Sequence, residues 1–217
     1  MAIVMPTDLG SATLEHWVAA TIRLDAAGYE MILFESARAD DPLDCLAIAA
    51  AVAPLTRRIG LCATVDITTV EPFTFARGLA TLDHLSGGRA SWRCVGETDA
   101  ARSREFAAVV AALLTSWDKG ALVERHGDGI LSDADAVRPI DHKGLFFYSR
   151  GPLNMPQPPQ AVPPLIAVHD DAVVPMVDLL LEQDMLLRCS IEEAADLPTI
   201  RPTAEMALLV ERLGIAR

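Results

Sequence analysis

Side chains that could do chemistry are few and scattered along this sequence. His169, Asp170 and Asp171 carry metal-ligand groups, but consecutive residues rarely converge on one ion and no third group of ligands lies near them. Acidic residues at a solvated helix N-terminus explain this run better. His84 and His142 are of the residue type that most often acts as a general base.

Glycine and cysteine patterns favour structural roles. The sequence from Ser86 to Gly88 reads SGG and falls between a predicted helix and a predicted strand, where glycines mark a helix end and a tight turn rather than a phosphate loop. Cys45, Cys62, Cys94 and Cys189 form no CxxC pair, which indicates buried free thiols rather than a metal site or disulfides.

Composition narrows the class of protein. Thirty acidic residues against eighteen basic ones give a formal charge of −12, which disfavours a nucleic-acid partner. Although 51% of the residues are hydrophobic, no run of about 18 uncharged apolar residues could span a bilayer. The first residues lack the basic start of a secretory signal, so a cytoplasmic location is expected. A length of 217 residues fits a single domain, 1–217.

Periodicity in the first half alternates between helix and strand. This order predicts parallel strands joined by right-handed crossovers, as in an α/β layer or barrel. The predicted helices are Ser11–Ala27 ended by Gly28, Asp44–Leu55, Pro72–Leu85 and Arg104–Trp117, and the predicted strands are Glu30–Glu35, Ile59–Val65 and Arg89–Val95.

The second half begins with an irregular segment, 119–164, rich in Gly, Asp and Pro. A segment of this length in a compact domain predicts a functional lid or a disordered linker. The alternation then returns, with predicted strands Leu165–Val168 and Met185–Cys189 and predicted helices Val173–Leu181 and Thr203–Leu213. With AIVMP as an initial strand there are about six βα units, whereas a closed barrel of this kind has eight.

Several segments together resemble one family. The chain contains RRIGLCATVDITTVEPFTFARGLATLDHLSGGRASW and then PIDHKGLFFYSRGPLNMPQPPQAVPPLI. Both are similar to stretches of the nitrilotriacetate and dibenzothiophene-sulfone monooxygenase branch of the bacterial luciferase-like family. Weaker similarity continues through LFESARA, SWDKGALV and LVERLGIAR, so the resemblance covers most of the chain in the correct order.

The resemblance implies a (β/α)8 TIM-barrel fold that holds reduced FMN at the C-terminal ends of its strands. There dioxygen is activated to oxidise a small organic substrate, and a flavin reductase supplies the reduced cofactor. Because the flavin carries the chemistry, the protein has to supply an anchor, a dry pocket and polar groups at the ring. The resemblance also implies a truncated barrel without its seventh and eighth strands, and structural roles for His84 and His142.

Five residues of this chain match positions that contact flavin in the family. Glu35 stands where the family has Asp, Asp66 where it has Ser, and Arg93 where it has Asn. Thr64 and Thr68 match small hydroxylated residues beside the ring. The resemblance therefore implies a cofactor site rebuilt around Glu35, Thr64, Asp66, Thr68 and Arg93.

The family's phosphate anchor is replaced. Where the family reads Gln-Ala-Gly-x-Ser, this chain has residues 168–172, VHDDA, so two carboxylates would face a phosphate dianion. A family segment that carries a His and a Tyr toward the cofactor has no counterpart here. We therefore expect FMN binding to be weak or absent.

Two functions are consistent with this pattern. One is an FMN-dependent monooxygenase, with an altered site, that oxidises a small organic substrate. The other is a catalytically inactive paralogue retained as a dimerising or regulatory subunit. Either function predicts a homodimer or a pair with a related subunit, and the first also requires a flavin reductase. The sequence assigns neither catalytic residues nor a metal site.

Overall fold

The structure is a computed structural model. It describes residues 3–8, 13–35, 44–97, 99–125, 127, 129–168, 177–181, 185–190, 193–194, 197–199 and 209.

The first half alternates strands and helices as predicted. The strands are β1 (Ile3–Asp8), β2 (Met31–Phe34), β3 (Gly60–Asp66) and β4 (Ala90–Val95), and the helices are α1 (Leu14–Ala27), α2 (Cys45–Val52), α3 (Pro72–Ser86) and α4 (Ala100–Leu114).

Local capping sets the helix boundaries. Thr13 caps α1, its hydroxyl accepting from the backbone N–H of His16, and Gly28 ends the helix in the left-handed conformation at φ 91°. Helix α4 begins four residues before the predicted Arg104, because Asp99 accepts hydrogen bonds from the backbone of Ala101 and Arg102. A short side chain with a carboxylate is a strong N-cap, and this one was missed in the sequence.

The second half contributes short strands. They are β5 (Leu122–Arg125), β6 (Ile130–Ser132), β7 (His142–Lys143), β8 (Tyr148–Ser149), β9 (Leu165–Val168), β10 (Leu179–Leu181) and β11 (Leu186–Ser190). Strands β5 and β6 pair with each other antiparallel, and so do β7 and β8.

Seven parallel strands form the main sheet, in the order β10-β9-β4-β3-β2-β1-β11. The sheet is nearly closed into a barrel, and among the described residues β10 and β11 do not pair with each other. This fold confirms the predicted barrel-like architecture, with one strand more than the six expected.

The extra strand corrects one prediction. Leu179–Leu181 was expected to end a helix but pairs in parallel with Ile166–Val168. A short aliphatic run has no periodicity that separates helix from strand, and here the ladder of hydrogen bonds to β9 decides. Residues 173–176 of that predicted helix lie outside the described residues.

Side-chain alternation divides the apolar residues into two layers. Residues that face the barrel interior form one buried cluster, whereas the opposite faces of the strands pack against the helices, with Phe75, Trp92 and Phe106 in mutual ring contact. The interior cluster consists of Ile3, Met5, Met31, Leu33, Cys62, Ile166, Val168, Leu181 and Leu186. Residues two positions beyond these on each strand continue the interior face.

A late residue of the chain packs at the start of β3. Leu209 is fully buried, and its backbone N–H donates to the carbonyl of Gly88 at 2.8 Å. A Cβ at Gly60 would lie 2.8 Å from Leu209 Cδ1, so a larger residue there would have to displace the Leu209 side chain. The rest of the predicted helix Thr203–Leu213 lies outside the described residues.

Several polar contacts attach the segment 119–164 to the helices, and two of them involve the carboxylates of Asp83 and Glu105. Near its end, Gln160 donates from its backbone and side chain to the buried carboxylate of Asp83 in α3. Burial raises the pKa of Asp83. Further back, Phe147 is buried against Phe106 of α4, with ring centroids 5.6 Å apart. Whether the segment acts as a lid stays a prediction.

The second contact is centred on Glu105 of α4. Its carboxylate accepts hydrogen bonds from the backbone N–H groups of Leu145, Phe146 and Phe147 and lies 3.0 Å from His142 Nε2. Burial alone would raise the pKa of Glu105, but the bonds from His142 and the three backbone groups outweigh it and lower the pKa from 4.5 to about 2.

We predict that Glu105→Gln destabilises the protein by about 2 kcal/mol at pH 7, because charge-assisted hydrogen bonds to the loop are weakened. The pKa is lower in the folded state than in the unfolded state. The stabilisation is therefore present above pH 4.5 and is lost as the pH falls toward about 2. Urea unfolding of both proteins across this range measures the difference, with the exposed Glu15→Gln as control. A difference that did not shrink in acid would contradict this assignment.

Candidate functional site

The carboxyl ends of the parallel strands form the barrel mouth, the end where barrel enzymes of this architecture place their sites. Because Leu33 and Cys62 face the interior, alternation turns Glu35, Thr64 and Arg93 inward as well. Thr64 and Arg93 are register partners across β3 and β4. We define the barrel mouth as Glu35, Thr64, Asp66 and Arg93.

Glu35 and Arg93 form an ion pair across the barrel mouth. Arg93 NH1 donates to Glu35 Oε1 at 2.8 Å, and the side chains are 27% exposed for Glu35 and 9% for Arg93. The guanidinium is thus withdrawn from solvent and the carboxylate is the more accessible partner. Removal of one member of such a pair leaves a poorly solvated charge, which is costly.

Thr64 lies on β3, between the strand that precedes Glu35 and the strand that carries Arg93. Its Oγ1 atom is buried and has no hydrogen-bond partner among the described residues. A buried hydroxyl without a partner costs about 1–3 kcal/mol, and such atoms in folded proteins call for an explanation such as a water molecule or a ligand.

Asp66 organises the turn that follows β3. Its Oδ1 accepts from the backbone N–H of Thr68 at 2.9 Å and from the Thr68 hydroxyl at 2.6 Å. Gly96, at φ 87°, lies against it, and a Cβ there would be 2.0 Å from Asp66 Oδ1. Thr68 itself is exposed. Of the predicted site residues it contacts Asp66, to which it donates two hydrogen bonds.

Among the described residues of the mouth, acidic side chains outnumber basic ones. Two carboxylates, Glu35 and Asp66, stand against the one guanidinium of Arg93. Just beyond β4, Glu97 Oε2 lies 3.3 Å from Nε of Arg102, and so these two charges offset each other. The charges of these described residues favour positive groups over negative ones.

Other residues singled out in the sequence lie elsewhere. His84 Nε2 is 3.4 Å from the carbonyl of Pro156 and His142 contacts Glu105, so both histidines have structural contacts. Gly87 ends α3 in the left-handed conformation, which confirms the predicted helix end at SGG. Of residues 168–172, which the resemblance matches to the family's phosphate anchor, Val168 is buried in the interior cluster and residues 169–172 lie outside the described residues.

The carboxylates of Glu105 and Asp83 accept several hydrogen bonds and were not predicted from the sequence. The sequence gives no periodic signal that Glu105 and Asp83 bind backbone atoms of a distant irregular segment.

Within the described ranges no group of three or more His, Cys, Asp or Glu could hold a metal ion. In the same ranges no helix is long and apolar enough to cross a membrane.

The fold defines a class of protein. The structure overlays on the crystal structure of DmoA from Hyphomicrobium sulfonivorans with a TM-score of 0.68 at 20% identity, covering 78% of this chain and 48% of that one. At this identity the likeness shows a shared fold alone.

Sequence comparisons identify the family. Residues 2–96 match the model of the luciferase-like monooxygenase family. The chain is 31% identical over 205 residues to one of the subunits of pristinamycin IIA synthase of Streptomyces pristinaespiralis, covering 92% of this chain and 70% of that protein. It is 35% identical over 142 residues to dibenzothiophene-sulfone monooxygenase of Rhodococcus erythropolis, covering 57% of this chain and 31% of that protein. The chain belongs to the luciferase-like monooxygenase family. It spans about a third of the second relative and about half of DmoA.

We predict that Glu35→Gln and Arg93→Met are each destabilising by about 2 kcal/mol, because each removes the Glu35–Arg93 ion pair from a poorly solvated position. The double variant should lose less than the sum, with a coupling of roughly 1 kcal/mol or more. The exposed pair Arg150 and Asp141, 3.8 Å apart, is the control and should couple by about 0–0.5 kcal/mol. Additive losses in urea unfolding at the mouth would show that the pair is not coupled.

Proposed function

We propose that this chain is a subunit of a luciferase-like monooxygenase that does not itself hold the flavin. In this proposal a related subunit binds reduced FMN, a flavin reductase supplies it, and the assembly oxidises a small organic substrate. The observation that carries the proposal is the Glu35–Arg93 ion pair, which occupies the barrel mouth where the family resemblance places FMN.

The residues at the mouth do not fit FMN bound in the family's usual way. Its phosphate is a dianion and its reduced ring is electron-rich, while this mouth presents Glu35 and Asp66. The positive charge of Arg93 is already directed to Glu35 at 2.8 Å. Like charges a few ångströms apart near a protein surface disfavour binding by on the order of a kcal/mol or more each. We therefore derive no catalytic step through FMN on this chain.

A relative's name supports a role as a subunit. The protein from Streptomyces pristinaespiralis that matches 92% of this chain is named as one subunit of a synthase. A chain that contributes one barrel of an assembly can lose its own cofactor contacts without loss of the fold, because the barrel core is filled by side chains.

Helices α2 and α3 provide a surface for the partner subunit. They border a groove of about 500 Å³ lined by Leu46, Ala47, Ala50, Phe73 and Gly78, with neighbouring threonines and one arginine. Small residues let helices approach closely, and a Cβ on Gly78 would already lie 3.0 Å from Leu46 Cδ1. This apolar, shallow-sided groove suits the helices of a related barrel.

One observation favours a second function, a flavin-binding monooxygenase with a rebuilt site. The buried hydroxyl of Thr64 has no partner among the described residues, as expected of a group that awaits a ligand. In that case FMN would bind this chain directly, with Arg93 beneath it. Flavin binding separates the two functions.

We predict that the purified chain is colourless and that FMN, oxidised or reduced, binds at least tenfold more weakly than to a family member with an intact site, since about 1.4 kcal/mol of repulsion suffices for that factor. Visible absorbance and fluorescence titration measure this. A matched variant, Glu35→Asp with Arg93→Asn, restores the family's residue types and should bind FMN more tightly than the natural chain. Stoichiometric yellow flavin retained by the natural chain through gel filtration would favour the second function.

A second prediction concerns assembly. A tagged chain expressed in its natural host should copurify with a longer luciferase-like chain, identified by mass spectrometry. Ala50→Arg in the groove should abolish the association, because a buried charge without a partner is costly. Ala19→Arg, on an exposed position of α1, should not affect it. Recovery of the chain only as copies of itself would contradict pairing with a related subunit.

A further inference from the structure

One charged side chain, that of Arg77, is among the described residues that line the groove between α2 and α3. We infer that Arg77 selects the chain that docks in this groove, and that the docking helix carries an aspartate or glutamate that pairs with Arg77. This inference rests on the proposed function, because it concerns the subunit that occupies the groove.

Arg77 lies in the middle of the face that α3 turns to the groove. Phe73 precedes it by one helical turn, Thr81 follows it by another, and both line the same groove, as residues four apart on a helix do. The arginine side chain is exposed. A helix that fills the groove therefore covers Arg77 near the centre of the contact, where arginine is among the residue types that contribute most to affinity.

The Arg77 guanidinium has no acidic partner among the described residues. Within α3 the carboxylate of Asp83 is buried and accepts hydrogen bonds from Gln160. The Thr81 hydroxyl donates to the backbone carbonyl of Arg77 and contacts the sulfur of Met155. When docking removes water from the guanidinium, the counter-charge has to come from the incoming chain, and a carboxylate supplies it with two parallel hydrogen bonds.

The opposite wall of the groove lets a helix come close to Arg77. It is formed by Ala47 and Ala50 of α2, and on α3 Gly78 follows Arg77 directly. Small side chains allow two helix backbones to approach, so that the short side chain of an aspartate or glutamate can reach the guanidinium. The partner that fits is a helix with an apolar face of small residues and one carboxylate within that face.

A second copy of this chain does not meet this requirement. In a two-fold pair the same surface patch contacts itself, and the described lining of the groove contains Arg77 but no acidic residue. Asp44 and Glu71 are the N-cap residues of α2 and α3 and are not part of that lining, and Asp44 already accepts from the backbone N–H of Ala47. Two such grooves would cover two guanidiniums without a carboxylate, which disfavours this pairing and leaves the groove to a different chain.

The test measures association and dissociation rates between the purified full chain and the purified longer luciferase-like chain with which it copurifies. Arg77→Ala should weaken the complex about 30-fold or more, mainly through faster dissociation, because a desolvated charge pair is broken. Arg77→Lys should lie between the two, since an ammonium lacks the two-pronged geometry of a guanidinium. Arg104→Ala, at an exposed arginine of α4, is the matched control and should leave both rates unchanged. All three variants should keep the melting temperature of the natural chain.

Charge reversal identifies the carboxylate. Arg77→Glu should abolish the complex, because two carboxylates then meet where water is excluded. On the partner, the aspartates and glutamates of the helices that match α2 and α3 are replaced by lysine one at a time. One of these replacements should restore binding to Arg77→Glu while weakening binding to the natural chain.

Several results would overturn this inference. They are an unchanged affinity in Arg77→Ala, a loss confined to the association rate and erased by high salt, which belongs to a rim charge, or no partner acid whose replacement restores binding. Self-association of the natural chain that Ala50→Arg disrupts would contradict the selection against a second copy. In the first three cases a complex that Ala50→Arg still abolishes leaves the proposed function standing, whereas failure to associate with any related chain contradicts the proposed function as well.

Discussion

Alternation of side chains along a nearly closed parallel sheet is the constraint on which the rest of this structure depends. Each strand has to place aliphatic residues inside the barrel and, one residue later, residues that pack on the helices. Met31 and Leu33 satisfy the first requirement and Ile32 and Phe34 the second. The strands are therefore mostly apolar on both faces, and most of their polar groups lie toward the carboxyl ends, although the buried Ser91 lies within β4. The barrel mouth is polar for this reason, and so its residue types are free to change while the fold is retained.

Sequence periodicity predicted the first half of the fold well, because its helices and strands are long and carry their own boundary signals. Thr13, Gly28 and Gly87 mark helix ends through local chemistry that any sequence reading can recognise. Where an element is short, this information is missing. Leu179–Leu181 is a strand only because β9 lies beside it, and Asp99 extends α4 through a capping interaction that the helical pattern alone did not indicate.

The candidate site was predictable in location and not in geometry. Resemblance to a family selected Glu35, Thr64, Asp66, Thr68 and Arg93, and four of these lie on the interior face at one end of the barrel. That Glu35 and Arg93 compensate each other could not be deduced from either substitution alone, because the residues are far apart in sequence and the register of three strands brings them together. The two changes make physical sense as a pair, since each charge supplies the counter-charge that the other needs in a poorly solvated position.

The contact between Gly60 and Leu209 has a consequence for the order of folding. It joins the start of β3 to a residue near the far end of the numbered chain, so it is among the least local contacts of the fold, and contacts of this kind form late because the intervening chain has to be ordered first. If loop closure sets the order, the end of the barrel opposite the barrel mouth is completed only after Leu209 has been synthesised and has packed against Gly60. We expect the amide of Leu209, bonded to Gly88, to report on that step through its hydrogen exchange.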